Sequence, residues 1–330
     1  MIKCSCCGRK AEIRLGYTKT DLCGRCFCRL FENRIKQANR QFRLIRLNQK
    51  IAVGISGGKD SAAMLYVLSK MAKTIHGTKL IPVLIDEGIG GYRKNAIKKA
   101  KELCKLLHLK LKIYTFKKYF GKDLDAIIKK RDAALLGKKS NDSKSQKNNF
   151  ERSCTYCGVL RKWALNKAAL DLHADALAIG HNADDIAQTF LMNLMHNEPG
   201  RLERFSVINE EREGFVKRIK PLIFNLEKEC ALYCEFKKLP YYRGECPYSK
   251  ESFRGEIKNL LNNTEEKFPG IKFNLVNSYL DLRERLERAN GKSGKPGTVK
   301  NFQIPKCAKC GQNSAERTCK ACRLLENLKK

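Results

Sequence analysis

Apolar residues recur along this chain in two rhythms. Short unbroken apolar runs at 51–55, 80–85, 111–116 and 175–180 have the length of buried parallel strands. Between them lie helix-length amphipathic segments at 60–73, 93–107, 120–135 and 156–172, with another at 184–195. Strand alternating with helix predicts an α/β fold built on a doubly wound parallel sheet. Ligands of such sheets lie outside the carboxyl ends of the strands, near the point where strand order reverses.

The regular pattern is framed by different ends. Residues 1–28 are cysteine-rich and poorly periodic, and a basic helical stretch follows from Leu30 to Leu47. "GKKSNDSKSQKNNF" at 137–150 is polar, basic and low in complexity, the composition of a mobile surface insertion. From Glu227 the pattern is mainly helical, "SGKPG" at 293–297 reads as a linker, and the final residues return to cysteine pairs. These shifts predict a cysteine module at 1–29, an α/β domain at 30–226, a helical extension at 227–298 carrying Cys246, and a second cysteine module at 299–330.

Charge changes the picture. There are 67 basic residues against 34 acidic ones, a formal net charge of +33. A solvated lysine-rich surface would account for this, but so would a polyanionic partner, because Lys and Arg on phosphates dominate nucleic-acid affinity. No segment pairs a basic face with a broad apolar one, and no run approaches the ~18 apolar residues of a membrane span, so no membrane role is expected. "MIKCSCCGRK" lacks an apolar export segment, which predicts a cytoplasmic protein with reduced thiols. The 16 cysteines then read as metal ligands rather than disulfides.

The first strand runs through Gly54 into Ser56-Gly57-Gly58-Lys59-Asp60-Ser61 and then directly into a helix. This is not the common phosphate-binding loop, because Asp60 separates the lysine from the serine. It is still an anion site: backbone N–H groups converge at a helix N-terminus, and the glycines remove the side chains that would keep a phosphate at a distance. Ser56 and Ser61 can add hydroxyl donors and Lys59 a compact cation. Asp60 suggests Mg²⁺ or a helix cap.

The cysteines fall into three sets. Cys4-x2-Cys7 and Cys23-x2-Cys26, fifteen residues apart, have zinc-ribbon spacing, and Cys307-x2-Cys310 with Cys319-x2-Cys322 repeats it with a shorter spacer. Two closed structural Zn²⁺ sites are expected, with Cys6 as a possible competitor at the first. Cys154 and Cys157 in "CTYCGVLRKW", with the distant Cys246 in "YRGECPYS", make three, which does not close a zinc site. Three thiolates suit an iron–sulfur cluster with one iron left without a protein ligand; a redox pair plus a free thiol is the alternative. Cys104, Cys230 and Cys234 occupy apolar helical positions and read as core.

"SGGKDS" resembles the signature of the ATP-pyrophosphatase (PP-loop) superfamily, whose adenine nucleotide alpha hydrolase-like fold grips the β,γ-pyrophosphate while AMP is transferred. With "IDEGIGGYR" at 85–93, "CTYCGVLRKW", "GHNADDIAQT" at 180–189, "ECPY" and both cysteine modules, the chain resembles the tRNA 2-thiouridine synthetases of the TtuA and Ncs type over nearly its full length. That resemblance implies a 4Fe-4S cluster on Cys154, Cys157 and Cys246, ATP at the loop and at the strand ends Ile85 and Gly180, and an essential acid at Asp185. It places the family's basic position, often lysine, on Arg161, where an arginine keeps the charge but not the shape.

The implied reaction is attack by a uridine C2 oxygen on the α-phosphorus of ATP, departure of pyrophosphate with Mg²⁺, and replacement of the activated oxygen by sulfur. Two sulfur routes stay open: sulfide held by the cluster, or a persulfide on Cys154 or Cys246. One of Asp184 and Asp185 is expected to position Mg²⁺ or ATP, and the other to supply charge at a helix N-terminus. His181 reads as a backbone-bonded structural histidine. The basic helix carrying Arg34, Lys36, Arg40, Arg43 and Arg46 would grip tRNA backbone. The expected partners are tRNA and a sulfur donor, either a ubiquitin-like thiocarboxylate protein or free sulfide, and a homodimer is implied. A tRNA cytidine 2-thiolase, another PP-loop tRNA-modifying ligase and a non-catalytic zinc-ribbon RNA-binding scaffold are the competing readings.

Overall fold

The computed structural model describes residues 1–137, 151–198, 207, 214–248, 253–289, 305–314 and 316–328. The expected insertion, from residue 138 onward, and the expected linker at 293–297 lie outside the described residues. A small antiparallel hairpin, β1 (Ile13–Leu15) and β2 (Thr20–Leu22), precedes the long helix α1 (Gly24–Phe42). Then follow β3 (Lys50–Gly54), α2 (Lys59–Ala72), β4 (Lys79–Asp86), α3 (Arg93–Leu106), β5 (Lys112–Thr115), α4 (Phe116–Phe120) and α5 (Leu124–Gly137). After the gap come α6 (Ser153–Asp171), β6 (Ala176–Ala178), α7 (Ala183–Met195), β7 (Lys217–Ile219), α8 (Glu227–Phe236), α9 (Phe253–Lys267), α10 (Ile271–Ala289) and α11 (Lys320–Glu326).

Strands β3 to β7 form one parallel sheet in the order β5-β4-β3-β6-β7. The order reverses between β3 and β6, so the turns leaving those two strands flank the ligand crevice of a doubly wound sheet. The register pairs Ile51 with both Leu80 and Ala176. Alternation along β3 sends Ile51 and Val53 to one face, against Met64, Leu65 and Leu68 of α2, and Ala52 to the other, against Leu160 and Ala164 of α6.

All four expected strands are present. β7 went unread because "VKRIK" carries only two apolar residues among lysines and arginine, yet Lys217 and Lys220 are buried at 6% and 3% exposure. The basic helix begins earlier than its periodicity suggests. Cys23 caps α1, so the helix grows directly out of the cysteine module, and it ends where Arg43 turns left-handed at φ 48°. Its apolar stripe, Phe27, Phe31, Ile35 and Ala38, is buried at helical spacing. Phe31 stacks on Tyr233 of α8 with ring centroids 4.3 Å apart. Phe31→Ala is expected to lower unfolding stability by about 3–5 kcal/mol, the range for removing a fully buried phenyl ring. Urea unfolding of the variant beside the parent measures it.

Candidate active site

The turn after β3 is shaped by its own side chains. The Ser56 amide donates to Ser61 Oγ at 3.2 Å, Ser61 Oγ donates to the Gly58 carbonyl at 2.9 Å, and the Gly58 amide donates to Ser56 Oγ at 3.2 Å. The two serine hydroxyls, read above as phosphate donors, thus build the loop itself. Gly57 turns left-handed at φ +90°, and a Cβ there would lie 2.3 Å from the Ala96 carbonyl of α3. Gly58 stands at the N-cap of α2, whose amino end opens into the crevice.

Lys59 and Asp60 face the neighbouring elements. Lys59 Nζ pairs with Glu227 Oε1 at 2.8 Å and Asp60 Oδ2 at 3.2 Å. Burial alone would weaken this ammonium, but the Asp60 and Glu227 carboxylates outweigh it and hold Lys59 above its usual range. Burial also raises Asp60, against Lys59 and the Asn182 amide, whose Nδ2 donates to Asp60 Oδ1 at 3.0 Å. Under the loop, Cys234 Sγ donates to the Lys59 carbonyl at 3.3 Å. Cys104, Cys230 and Cys234 are all buried, as their apolar positions suggest.

The second crevice wall leaves β6. A Cβ on Gly180 would lie 3.3 Å from the Ser61 amide, so the two turns pack backbone to backbone. Asn182 caps α7 in a reciprocal box: Asp185 N donates to Asn182 Oδ1 at 3.0 Å and Asn182 N donates to Asp185 Oδ2 at 3.1 Å. The two aspartates have separate surroundings. Asp184 is buried, pairs with Lys272 Nζ at 2.5 Å and accepts from the Glu227 amide at 2.6 Å, which pins α8 and α10 to α7. Asp185 sits at the crevice, 3.6 Å from Arg254. Burial, helped by Asp60 and Glu227 and opposed by the Asn182 amide and Arg254, pushes its carboxyl up to about 6.

His181 departs from the expected backbone bond, because its buried Nδ1 has no hydrogen-bond partner. Burial, then Lys220, Lys162, Arg254 and Arg218, push it down to about 3. It is neutral at physiological pH and cannot serve there as a cationic acid. Arg34 also departs from its expected role on tRNA. Its guanidinium donates to Glu229 Oε2 and to the Tyr17 hydroxyl, each at 2.7 Å, whereas Lys36, Arg40, Arg43 and Arg46 are exposed.

Cys154 and Cys157 lie in the first turns of α6, at the carboxyl end of the strands and on the face opposite α2. Cys154 is exposed, and its Sγ donates to the Tyr248 carbonyl at 2.9 Å. Cys157 is buried and accepts from Arg161 Nη2 at 2.9 Å. Cys246 packs half-buried on the same apolar cluster as Cys157 and Tyr248. The segment carrying Cys246 is tied on both sides of it: the Tyr242 amide donates to the Gly57 carbonyl at 2.8 Å, and the Tyr248 carbonyl accepts from Cys154 Sγ. The nucleotide loop and the three cysteines therefore share one crevice. Glu87 and Arg93, inside the "IDEGIGGYR" stretch but not singled out from sequence, also line it: Glu87 pairs with Arg161 Nε at 2.6 Å and Arg93 Nε at 2.7 Å.

The terminal cysteines gather as expected. The sulfurs of Cys4, Cys7, Cys23 and Cys26 all lie within 4.8 Å of one another, and so do those of Cys307, Cys310, Cys319 and Cys322. The Cys7–Cys23 and Cys310–Cys319 sulfurs are 3.6 and 3.7 Å apart. Four thiolates tetrahedrally around zinc stand ~3.8 Å apart, so both tetrads fit that ion. Cys6 is exposed and outside the first tetrad. Among the described residues, the sulfurs of Cys154, Cys157 and Cys246 are not gathered within 4.8 Å of one another, so they form no compact site for one small cation.

The sequence profile of the PP-loop domain matches residues 29–265. A probable sulfurtransferase of Methanocaldococcus jannaschii is 40% identical over 328 residues, 99% of this chain and 88% of that protein. The chain belongs to the PP-loop family of tRNA 2-thiolation proteins. The cytoplasmic tRNA 2-thiolation protein 1 of Saccharomyces cerevisiae is 35% identical over 98% of this chain and 86% of its own length. The U34-tRNA thiolase NcsA of Methanococcus maripaludis, solved with its [4Fe-4S] cluster, superposes with a TM-score of 0.77 at 30% identity, covering 99% of this chain and 97% of that one. No described helix of this family member is long and apolar enough to cross a membrane.

The raised Asp185 carboxyl has a measurable consequence. Its folded pKa of about 6 lies above the ordinary 3.8, so the folded state holds the proton more tightly and ionisation works against folding. That penalty grows as pH rises through this window and is complete above it. Asp185→Asn, which cannot ionise, is expected to melt above the parent at pH 7.5, with the gap narrowing as pH falls through about 6 towards 3.8. Paired thermal melts across that range check the sign.

Proposed function

We propose that this chain is a cytoplasmic, ATP-dependent tRNA uridine 2-thiolase acting on U34, the base named for the Methanococcus thiolase. The observation that carries the reading is the short segment fastened to Gly57 at Tyr242 and to Cys154 at Tyr248, which puts a pyrophosphate loop and three thiols into one crevice. A scaffold with a vestigial loop has no need of that arrangement, or of Lys59 and Asp60 held in place by Glu227 and Asn182.

In this reading the uridine C2 oxygen attacks the α-phosphorus of ATP, and the oxygen–phosphorus bond to pyrophosphate breaks. The pyrophosphate is received by backbone amides at the amino end of α2 and by Lys59, which exchanges Glu227 for phosphate oxygens. Gly180 and the carbonyl end of β4 at Ile85 border the adenosine side. Asp185, ionised at neutral pH, positions Mg²⁺ or the nucleotide, with Asp60 beside it. Sulfide then adds at C2, and AMP leaves with the former uridine oxygen. Cys154, Cys157 and Cys246 would hold a 4Fe-4S cluster, which supplies an iron able to bind that sulfide. Arg161, on Cys157, keeps positive charge beside the incoming sulfur.

Both terminal tetrads hold structural Zn²⁺ in this proposal, since each is closed and leaves no position for substrate. The exposed Lys36, Arg40, Arg43 and Arg46 take tRNA phosphates, which position the RNA rather than read its sequence. A ubiquitin-like thiocarboxylate protein or free sulfide donates the sulfur, and the active form is a homodimer.

Cys246→Ala is the deciding variant. Protein purified without oxygen should carry about four irons per chain with matching acid-labile sulfide. The variant should lose most of both, keep its zinc, and form no 2-thiouridine in tRNA by nucleoside mass spectrometry. Full thiolation by the variant, or zinc alone in the parent, would sink the cluster; thiocytidine in place of thiouridine would redirect the reading to the cytidine enzymes.

A further inference from the structure

Glu87 lies one residue beyond the end of β4, and its side chain is almost wholly buried, at 2% exposure. Its two carboxylate oxygens serve different arginines: Oε1 pairs with Arg161 Nε at 2.6 Å, and Oε2 with Arg93 Nε at 2.7 Å. Each guanidinium then reaches a different half of the crevice. Arg93 Nη1 donates to the Ser56 carbonyl at 2.8 Å and its Nη2 donates to the Ile85 carbonyl. Arg161 Nη2 donates to Cys157 Sγ at 2.9 Å. One carboxylate therefore stands between the nucleotide loop and a thiol of the three-cysteine site, linked to each by an ion pair and then an arginine hydrogen bond, although neither Nε–H is aligned on the carboxylate.

Glu87 is itself held firmly. Its carbonyl accepts from the Leu124 amide at 2.8 Å, and the next residue, Gly88, turns left-handed at φ +72° where a Cβ would lie 2.4 Å from Asp123 Cβ. The close ion pairs hold both guanidiniums against that fixed carboxylate. In a thiolation the carbon activated at the nucleotide must meet a sulfur placed by the cysteines, and a misplacement of ~1 Å costs on the order of a hundredfold in rate.

We infer that Glu87 is the positioning residue that sets the register between the nucleotide loop and the three-cysteine site, through Arg93 on one side and Arg161 on the other. This rests on the thiolase reading and adds a residue to it. Glu87→Asp keeps the charge but withdraws it by one methylene, so that it no longer spans both guanidiniums. Glu87→Gln keeps the length and removes the charge.

The test uses the full chain, loaded with iron without oxygen and, separately, iron-free. The nucleotide probe is an ATP analogue with a methylene between the α- and β-phosphorus. Glu87→Asp is expected to retain parental iron content and to change KM for tRNA by no more than about twofold, while kcat falls by roughly tenfold or more. In the loaded parent the analogue should shift the EPR spectrum of the reduced cluster, and in Glu87→Gln that shift should vanish at equal iron content. In the iron-free protein Glu87→Gln should bind the analogue roughly threefold or more weakly, because Arg93 no longer steadies the loop. Parental kcat in Glu87→Asp, an EPR shift that persists in Glu87→Gln, or unchanged analogue affinity in the iron-free variant each overturns the inference. A parent that takes up only zinc refutes the cluster reading instead, and the iron-free affinity then decides the role of Glu87 alone.

Discussion

Two backbones approach within contact distance where the strand order reverses, and the crevice is built outward from that point. The turn leaving β6 lays Gly180 against the Ser61 amide, at a distance where a methyl group would crowd it. Asn182 crosses the same gap to Asp60. β3 and β6 are adjacent strands with Ile51 opposite Ala176, so a shift of one residue would turn Asn182 and Asp185 away from the loop. The loop's glycines are thus demanded by neighbours as much as by a ligand. Gly57 yields to α3, and Gly180 yields to α2.

The charge of the chain and the charge of its crevice have opposite character. A surplus of +33 covers the molecule, yet the crevice collects Asp60, Asp185, Glu87 and Glu227. Two of these carboxylates are shared between cations: Glu227 between Lys59 and Lys258, Glu87 between two arginines. Removing one member of such a set leaves an uncompensated charge, which costs more the deeper the set is buried. The sharing also keeps Lys59 in place before a phosphate arrives, so little reorganisation is needed when one does.

What could be read from the sequence was what short stretches of chain determine. The strands at 51–55 and 80–85, the glycine loop and both cysteine tetrads are local patterns, and the structure has them all. What depends on distant partners could not be read. Asp184 and Asp185 are adjacent in sequence, and only Lys272, 88 residues away, separates a structural aspartate from one at the crevice. Arg34 looked like one of a basic row until Glu229 and Tyr17 claimed it. The serine hydroxyls offered phosphate donors on paper, and three-dimensional closure of the loop took them first. β7 escaped notice because buried lysines break the apolar run by which strands are recognised.

The two cysteine tetrads act on the crevice through packing rather than chemistry. Each runs into a helix that starts at one of its own cysteines: Cys23 holds the N-cap position of α1, and Cys319 caps α11 with its side chain. α1 packs on α8, and α8 supports the loop from below through Cys234 and Glu227. α11 packs on α6, the helix whose first turns carry Cys154 and Cys157. Segments this short and polar bury little apolar surface, and a metal on the four thiolates would supply folding free energy that hydrophobic contacts do not. Loss of either tetrad therefore loosens one wall of the crevice: the N-terminal module the nucleotide wall, the C-terminal module the cysteine wall. Two cysteine tetrads that touch neither the loop nor Cys154 thus bear on both through the helices they begin.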